Sequence, residues 1–173
     1  MNKIVIIIGG IIGVFAALLW VFEPSLGWWE VTVEDYLVIF DGAGYISPFG
    51  YGSNTANSDI VFHGPLLLIG GIIFLAFSLL AIIFAIKEKR GLSIMSAFLM
   101  IGGLGLFCYG LTVIQDFEDI LEGLNFLTGA EYTVFFGSEN LGALGFWAWR
   151  LGNGFFIAIG AFVVTLIGAL IKK

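Results

Sequence analysis

The densest set of groups able to do chemistry lies between Gln115 and Leu127, where Asp116, Glu118, Asp119 and Glu122 place four carboxylates within seven residues. Carboxylate oxygens at that density are the hard ligands that Ca²⁺ takes. The segment lacks the glycine-bearing loop of an EF-hand. Phe117, Ile120, Leu121 and Leu124 recur among the acids at helical spacing, which distributes the carboxylates around an axis. A hydrated acidic face is the expectation, and these four residues are the candidate cation ligands. His63, the single histidine, follows Asp59 by four residues. The pair has the types for a metal or proton site, although a lone histidine at the start of a helix reads more simply as a polar end-group.

Other chemistries find less to work with. Paired-carboxylate hydrolysis of glycosides needs a cleft that the loops here are too short to build. One His, one Cys and three Met do not furnish a haem or copper centre by themselves. No G-x-S-x-G, H-E-x-x-H or Walker-type motif occurs. The expectation is therefore a protein that is not an enzyme, with no catalytic residue and no cofactor.

The elements that position these residues are apolar. Of the 173 residues, 60% are hydrophobic and 12% charged, with a mean hydropathy of +1.06. Soluble domains are nearer about 45–50% apolar and about 25% charged. Apolar runs predict four spans, over 4–22, 66–86, 92–114 and 146–171, the last with Arg150 near its outer end, in one membrane domain. The first has an apolar run longer than a signal-peptide h-region and no small-x-small site after it, so it reads as a signal-anchor helix. The third is expected to continue as one long helix through the acidic segment.

Six of the seven Lys and Arg residues fall at the N-terminus, in the loop 87–91 or at the C-terminus, while twelve of the thirteen acids fall in the loops 23–65 and 115–145. Four crossings with that distribution place both termini in the cytoplasm, as an integral protein of the plasma membrane. The acidic outer face disfavours nucleic acid. Membrane lipids, copies of the chain and other integral membrane proteins are the expected partners. The lone Cys108 lies inside the third span, so no disulfide braces the outer loops.

Within the first outer loop, Trp29, Val31 and Val33 alternate with Glu30, Thr32 and Glu34, the pattern of a half-buried strand. A second run ends at Phe40, Tyr45-Ile46 suggests another short strand, and the Gly/Ser/Asn/Pro-rich stretch 47–58 reads as an irregular loop. In the second loop, Glu131 to Phe136 is β-branched and aromatic and reads as a strand joining the same sheet. Gly9 and Gly13 in the first span, and Gly154, Ala158 and Ala161 in the last, form small-residue faces for close helix packing. Trp20, Trp147, Trp149 and Arg150 are expected to anchor at the membrane interface, with Arg150 pairing with Asp116 or Glu118. Trp28, Trp29, Tyr36, Tyr132 and Phe135 are the candidate outer-loop contacts.

This plan resembles the claudin and peripheral-myelin-protein class of four-span proteins. Local similarity lies in P-S-L-G-W-W-E-V after the first span, G-L-T-V-I-Q-D-F at the end of the third, and L-G-A-L-G-F-W-A-W before the fourth. The two cysteines of the claudin first loop have no counterpart here. The resemblance implies both termini inside, a third helix projecting beyond the membrane, and one outer sheet built from both outer loops.

The expected architecture is an all-α integral membrane protein: a left-handed four-transmembrane-helix bundle with a small extracytoplasmic β-sheet from the two outer loops. The expected role is structural assembly or lateral association in the cell envelope. The alternatives are an accessory subunit of a larger membrane enzyme or transport complex, and an oligomeric cation-selective channel.

Overall fold

A computed structural model describes residues 1–36, 40–54, 60–114, 122, 125–126, 128–129, 131–141 and 145–171. Four helices are long and apolar enough to cross a membrane. They are α1 (Lys3–Leu18), α2 (Pro65–Ile86), α3 (Arg90–Thr112) and α4 (Asn153–Leu170). Around the bundle α1 packs on α2, α2 on α3, α3 on α4 and α4 back on α1.

Their pattern inverts that of water-soluble helices. On α1 the buried positions are Ile6, Gly9, Gly10, Gly13, Ala16 and Ala17, whereas Ile4, Ile8, Ile11, Phe15 and Leu18 face outward. Lipid tails give helices no hydrophobic reason to associate, so close approach through small residues supplies the packing. Gly9 lies against Thr165 of α4, Gly13 against Ser78 of α2, and Gly154 against the carbonyls of Leu26 and Gly27. Ala158 and Ala161 are fully buried. The α2–α3 crossing is reciprocal: a Cβ on Gly70 would lie 2.8 Å from the Gly103 carbonyl oxygen, and one on Gly103 would lie 2.7 Å from that of Gly70.

One end of the bundle is tied by polar contacts. Asn2 caps α1 through its side chain, and its backbone N–H donates to Gly168 O at 2.8 Å. Lys3 pairs with Glu88 at 3.2 Å. Arg90 donates from Nε to Ala169 O at 3.0 Å and from Nη2 to Leu170 O at 3.1 Å. A cation on the last carbonyls of α4 meets the negative end of its dipole.

At the opposite end stands a six-stranded antiparallel sheet in the order β4-β3-β2-β1-β6-β5. Its strands are β1 (Trp29–Tyr36), β2 (Phe40–Ile46), β3 (Tyr51–Asn54), β4 (Ile60–Phe62), β5 (Phe136–Asn140) and β6 (Phe146–Leu151). The row Ile46, Trp29, Leu151 lies across β2, β1 and β6 where the sheet meets the helices, and Glu34 opposite Phe146 is at the far end of β1.

Several expectations are corrected here. The predicted span 146–171 is two elements: Phe146–Leu151 alternates in burial and pairs with β1 and β5 on either side, and the helix starts only at Asn153. The third helix ends at Thr112, with Val113 in a non-helical cap. The strand expected over 131–136 begins at Phe136 instead, because a bridge from Thr133 to Phe136 turns the chain just before it. The stretch 47–58 is not wholly irregular. Ser47 Oγ accepts the N–H groups of Phe49 at 3.3 Å and Tyr51 at 3.0 Å, closing a tight hairpin between β2 and β3. Pro65 opens α2 at its first position, and Gly64 before it adopts φ +133°, a conformation that side chains disfavour.

Candidate functional site

The junction of bundle and sheet is built around Trp28. A 3₁₀ turn over Pro24–Leu26 is closed by Glu23, whose carboxylate accepts from Ser25 Oγ at 2.8 Å. The chain then passes Gly27, whose carbonyl lies against Gly152 and Gly154 at the start of α4. Trp28 N–H donates to Ile46 O at 2.8 Å, and Trp28 O accepts from Gly152 N–H at 2.9 Å. Its indole turns down into the bundle and is fully buried.

There it meets all four helices. Nε1 donates to Ala16 O of α1 at 3.0 Å. Edge-on rings surround it: Phe74 of α2 with centroids 5.1 Å away, Phe107 of α3 at 5.0 Å and Phe155 of α4 at 5.8 Å. Such aromatic pairs contribute about 0.5–1.5 kcal/mol each beyond area burial. Trp28 is therefore a plug in the bundle neck, which corrects its expected place among the outer contacts. The strand pattern hides this, because Trp28 precedes β1 and its alternation does not apply.

Trp29 and Trp149 also turn inward, at 6% exposure each. Trp29 Nε1 donates to Val134 O and Trp149 Nε1 to Thr133 O, both at 2.7 Å. The two indoles hold the 131–135 segment against one face of the sheet. Gly137 admits the Trp149 ring, since a Cβ there would strike it. Trp149 packs within this layer; Trp147 sits two positions before it on the same strand, half-buried, and Trp20 lies in the 3₁₀ turn Leu19–Val21.

On this same face Tyr132 stacks edge-on with Trp149 at 5.5 Å and donates its hydroxyl to Glu139. That bond pushes the Tyr132 phenol above its ordinary pKa. Tyr132 and Phe135 are both half-buried, and only the backbone of Tyr36 is described.

Arg150 finds its acid within the sheet. It lies directly opposite Glu30 in the β1–β6 register, and its Nε donates to the Glu30 carboxylate. The Glu30 side chain is 11% exposed and that of Arg150 61%. The expected partners Asp116 and Glu118, and the candidate ligand Asp119, lie outside the described residues, as does Asp59. Glu122 is exposed. Among the described residues no three His, Cys, Asp or Glu side chains group closely enough to hold a metal. The His63 ring packs against Gly52, and the His63 backbone N–H donates to Gly50 O at 2.7 Å.

The helical glycines divide into two sets. Gly9, Gly10, Gly13, Gly70, Gly71, Gly103, Gly110, Gly154 and Gly168 lie so close to neighbouring atoms that an added Cβ would clash. Gly91, Gly102 and Gly105 of α3 and Gly160 of α4 meet nothing within 4 Å. Of these, Gly102 and Gly105 lie on an exposed stripe with Phe98 and Tyr109 at spacings of four, three and four.

Neither known protein-family models nor curated protein sequences match the chain.

Proposed function

We propose that this chain is a non-enzymatic four-span protein of the cell envelope that works by lateral association with copies of itself. The observation that carries the reading is the division of the helical glycines. Nine of them pack against the chain's own helices and loops, and of the open ones Gly102 and Gly105 are the two that sit one turn apart, forming a shallow strip between Phe98 and Tyr109 on the outer surface of α3. A strip without side chains lets a second helix approach closely, and in lipid that approach is what favours association.

The membrane is the plasma membrane, with both termini and the α2–α3 turn in the cytoplasm and the sheet outside. What supports this is the charge: Lys3, Lys87, Lys89 and Arg90 gather at the end away from the sheet, and Arg150 is the cation at the sheet end. The claudin and peripheral-myelin-protein class is the working comparison. What favours it is a first-loop sheet that strands of the second loop extend.

The test is energy transfer between donor- and acceptor-labelled copies in liposomes at decreasing protein-to-lipid ratio. Transfer should persist on dilution and be lost in Gly102→Leu and Gly105→Leu. Transfer that falls with dilution as for unconnected molecules would refute self-association.

A further inference from the structure

A cavity of about 370 Å³ opens beside the last turn of α3. The helix is 23 residues long, about 34 Å at 1.5 Å per residue, so this turn reaches the headgroup level of a bilayer with a ~30 Å hydrocarbon core. Leu111, Val134 and Phe135 supply the apolar lining, the first two of them buried. Thr112, Glu122, Asn125 and Thr133 supply the polar groups.

The polar groups are mostly acceptors. Thr112 Oγ1 spends its proton on Tyr109 O at 2.8 Å, and Thr133 Oγ1 donates to Phe136 O at 3.5 Å, so both hydroxyls offer the cavity their lone pairs. Glu122 adds a carboxylate, and the C-terminal end of α3 adds its partial negative charge. Asn125 Oδ1 is held by Tyr132 N–H at 3.0 Å. The back wall is fixed, because the indoles of Trp29 and Trp149 hold the carbonyls of Val134 and Thr133.

We propose that this cavity binds a primary ammonium group carried on a short apolar stem, with Glu122 as its counter-charge. An ammonium brings three donors and no acceptor, the complement of the two threonine hydroxyls and the Glu122 carboxylate, while the Asn125 amide, its oxygen held by Tyr132, is a wall group and not a ligand. The same chemistry is carried by an amine-headed lipid and by a free alkylamine. This assignment does not depend on lateral association.

The test uses the full chain in phosphatidylcholine nanodiscs titrated with hexylammonium, hexanol and hexanoate, read by indole emission. Hexylammonium should give a saturable change and the other two none. Glu122→Gln should weaken binding by about tenfold or more, as loss of a charged hydrogen bond implies. Thr112→Lys, which puts a fixed cation at the same place, should abolish it. Repeating the titration in phosphatidylethanolamine nanodiscs identifies the source: a lost response assigns the site to the lipid headgroup, and a retained one to a soluble amine. An equal response to hexanol, or an unchanged affinity in Glu122→Gln, would overturn the proposal.

Discussion

The indole nitrogen of Trp28 donates to the carbonyl oxygen of Ala16 at 3.0 Å, joining the first residue after the loop glycine Gly27 to the last turns of α1 twelve positions earlier. Phe74, Phe107 and Phe155 close around the same ring from the other three helices. One side chain thus fixes four helices relative to each other. Its backbone, bonded to Ile46 and Gly152, fixes the sheet above them. Replacing it with alanine should cost about 3–5 kcal/mol, the range for a buried tryptophan. Trp28→Phe should lose less, about 1 kcal/mol for the hydrogen bond plus the smaller void. Unfolding midpoints in detergent, compared across the two variants, check the order.

Gly102 and Gly103 are neighbours on α3 with opposite surroundings. Gly103→Leu drives a side chain into the backbone of α2 around Gly70 and should destabilise the fold by about 1–3 kcal/mol or more. Gly102→Leu meets open space and should leave the monomer's stability within about 0.5 kcal/mol. Measurement in a detergent that keeps the protein monomeric separates folding from association. Equal losses in both variants would remove the distinction between the two glycine sets.

The Glu30–Arg150 pair is asymmetric, since the carboxylate is nearly buried and the guanidinium is mostly exposed. Removing the exposed partner should therefore be the worse change. Arg150→Ala strands a desolvated charge and should cost about 1–3 kcal/mol. Glu30→Gln leaves an arginine that water can solvate and should cost under about 1 kcal/mol. A double-mutant cycle read by thermal unfolding should show Glu30→Gln rescuing much of the Arg150→Ala loss.

Tyr132 should ionise later than an ordinary tyrosine. Its hydrogen bond to Glu139 favours the neutral phenol, so its folded pKa stands above the ordinary value near 10. The stability it contributes is fully present below the unfolded pKa and is lost as pH rises through the raised folded value. Ultraviolet titration of phenolate absorbance should show a late component that disappears in Tyr132→Phe. A titration unchanged by that substitution would place the late phenol elsewhere.

Much of the helical layer is legible in the sequence, because four long apolar runs have no other way to satisfy their backbone and their apolar side chains together. The alternation of Trp29, Val31 and Val33 with Glu30, Thr32 and Glu34 gives β1 for the same kind of local reason. The fourth span is misread at its start because Phe146–Leu151 is as apolar as a helix. Its pairing between β5 and β1 makes it a strand, and the β1 side of that pairing joins residues more than a hundred positions apart. Ser47-Pro48-Phe49-Gly50 looks irregular by composition, whereas the Ser47 hydroxyl and the positive φ of Gly50 make it a defined turn. Trp28 as a plug, and Glu30 as the partner of Arg150, depend on tertiary contacts that no local pattern carries. The unclashed pair Gly102 and Gly105 is likewise indistinguishable in sequence from Gly103, one residue away.

The most direct test of the account is native mass spectrometry after gentle extraction from the source membranes. Lateral self-association predicts peaks at whole multiples of the 18.7 kDa chain, collapsing to the monomer in Gly102→Leu. A fixed stoichiometry with larger unrelated polypeptides would contradict it and make the chain an accessory subunit, and a monomer free of partners would contradict it outright.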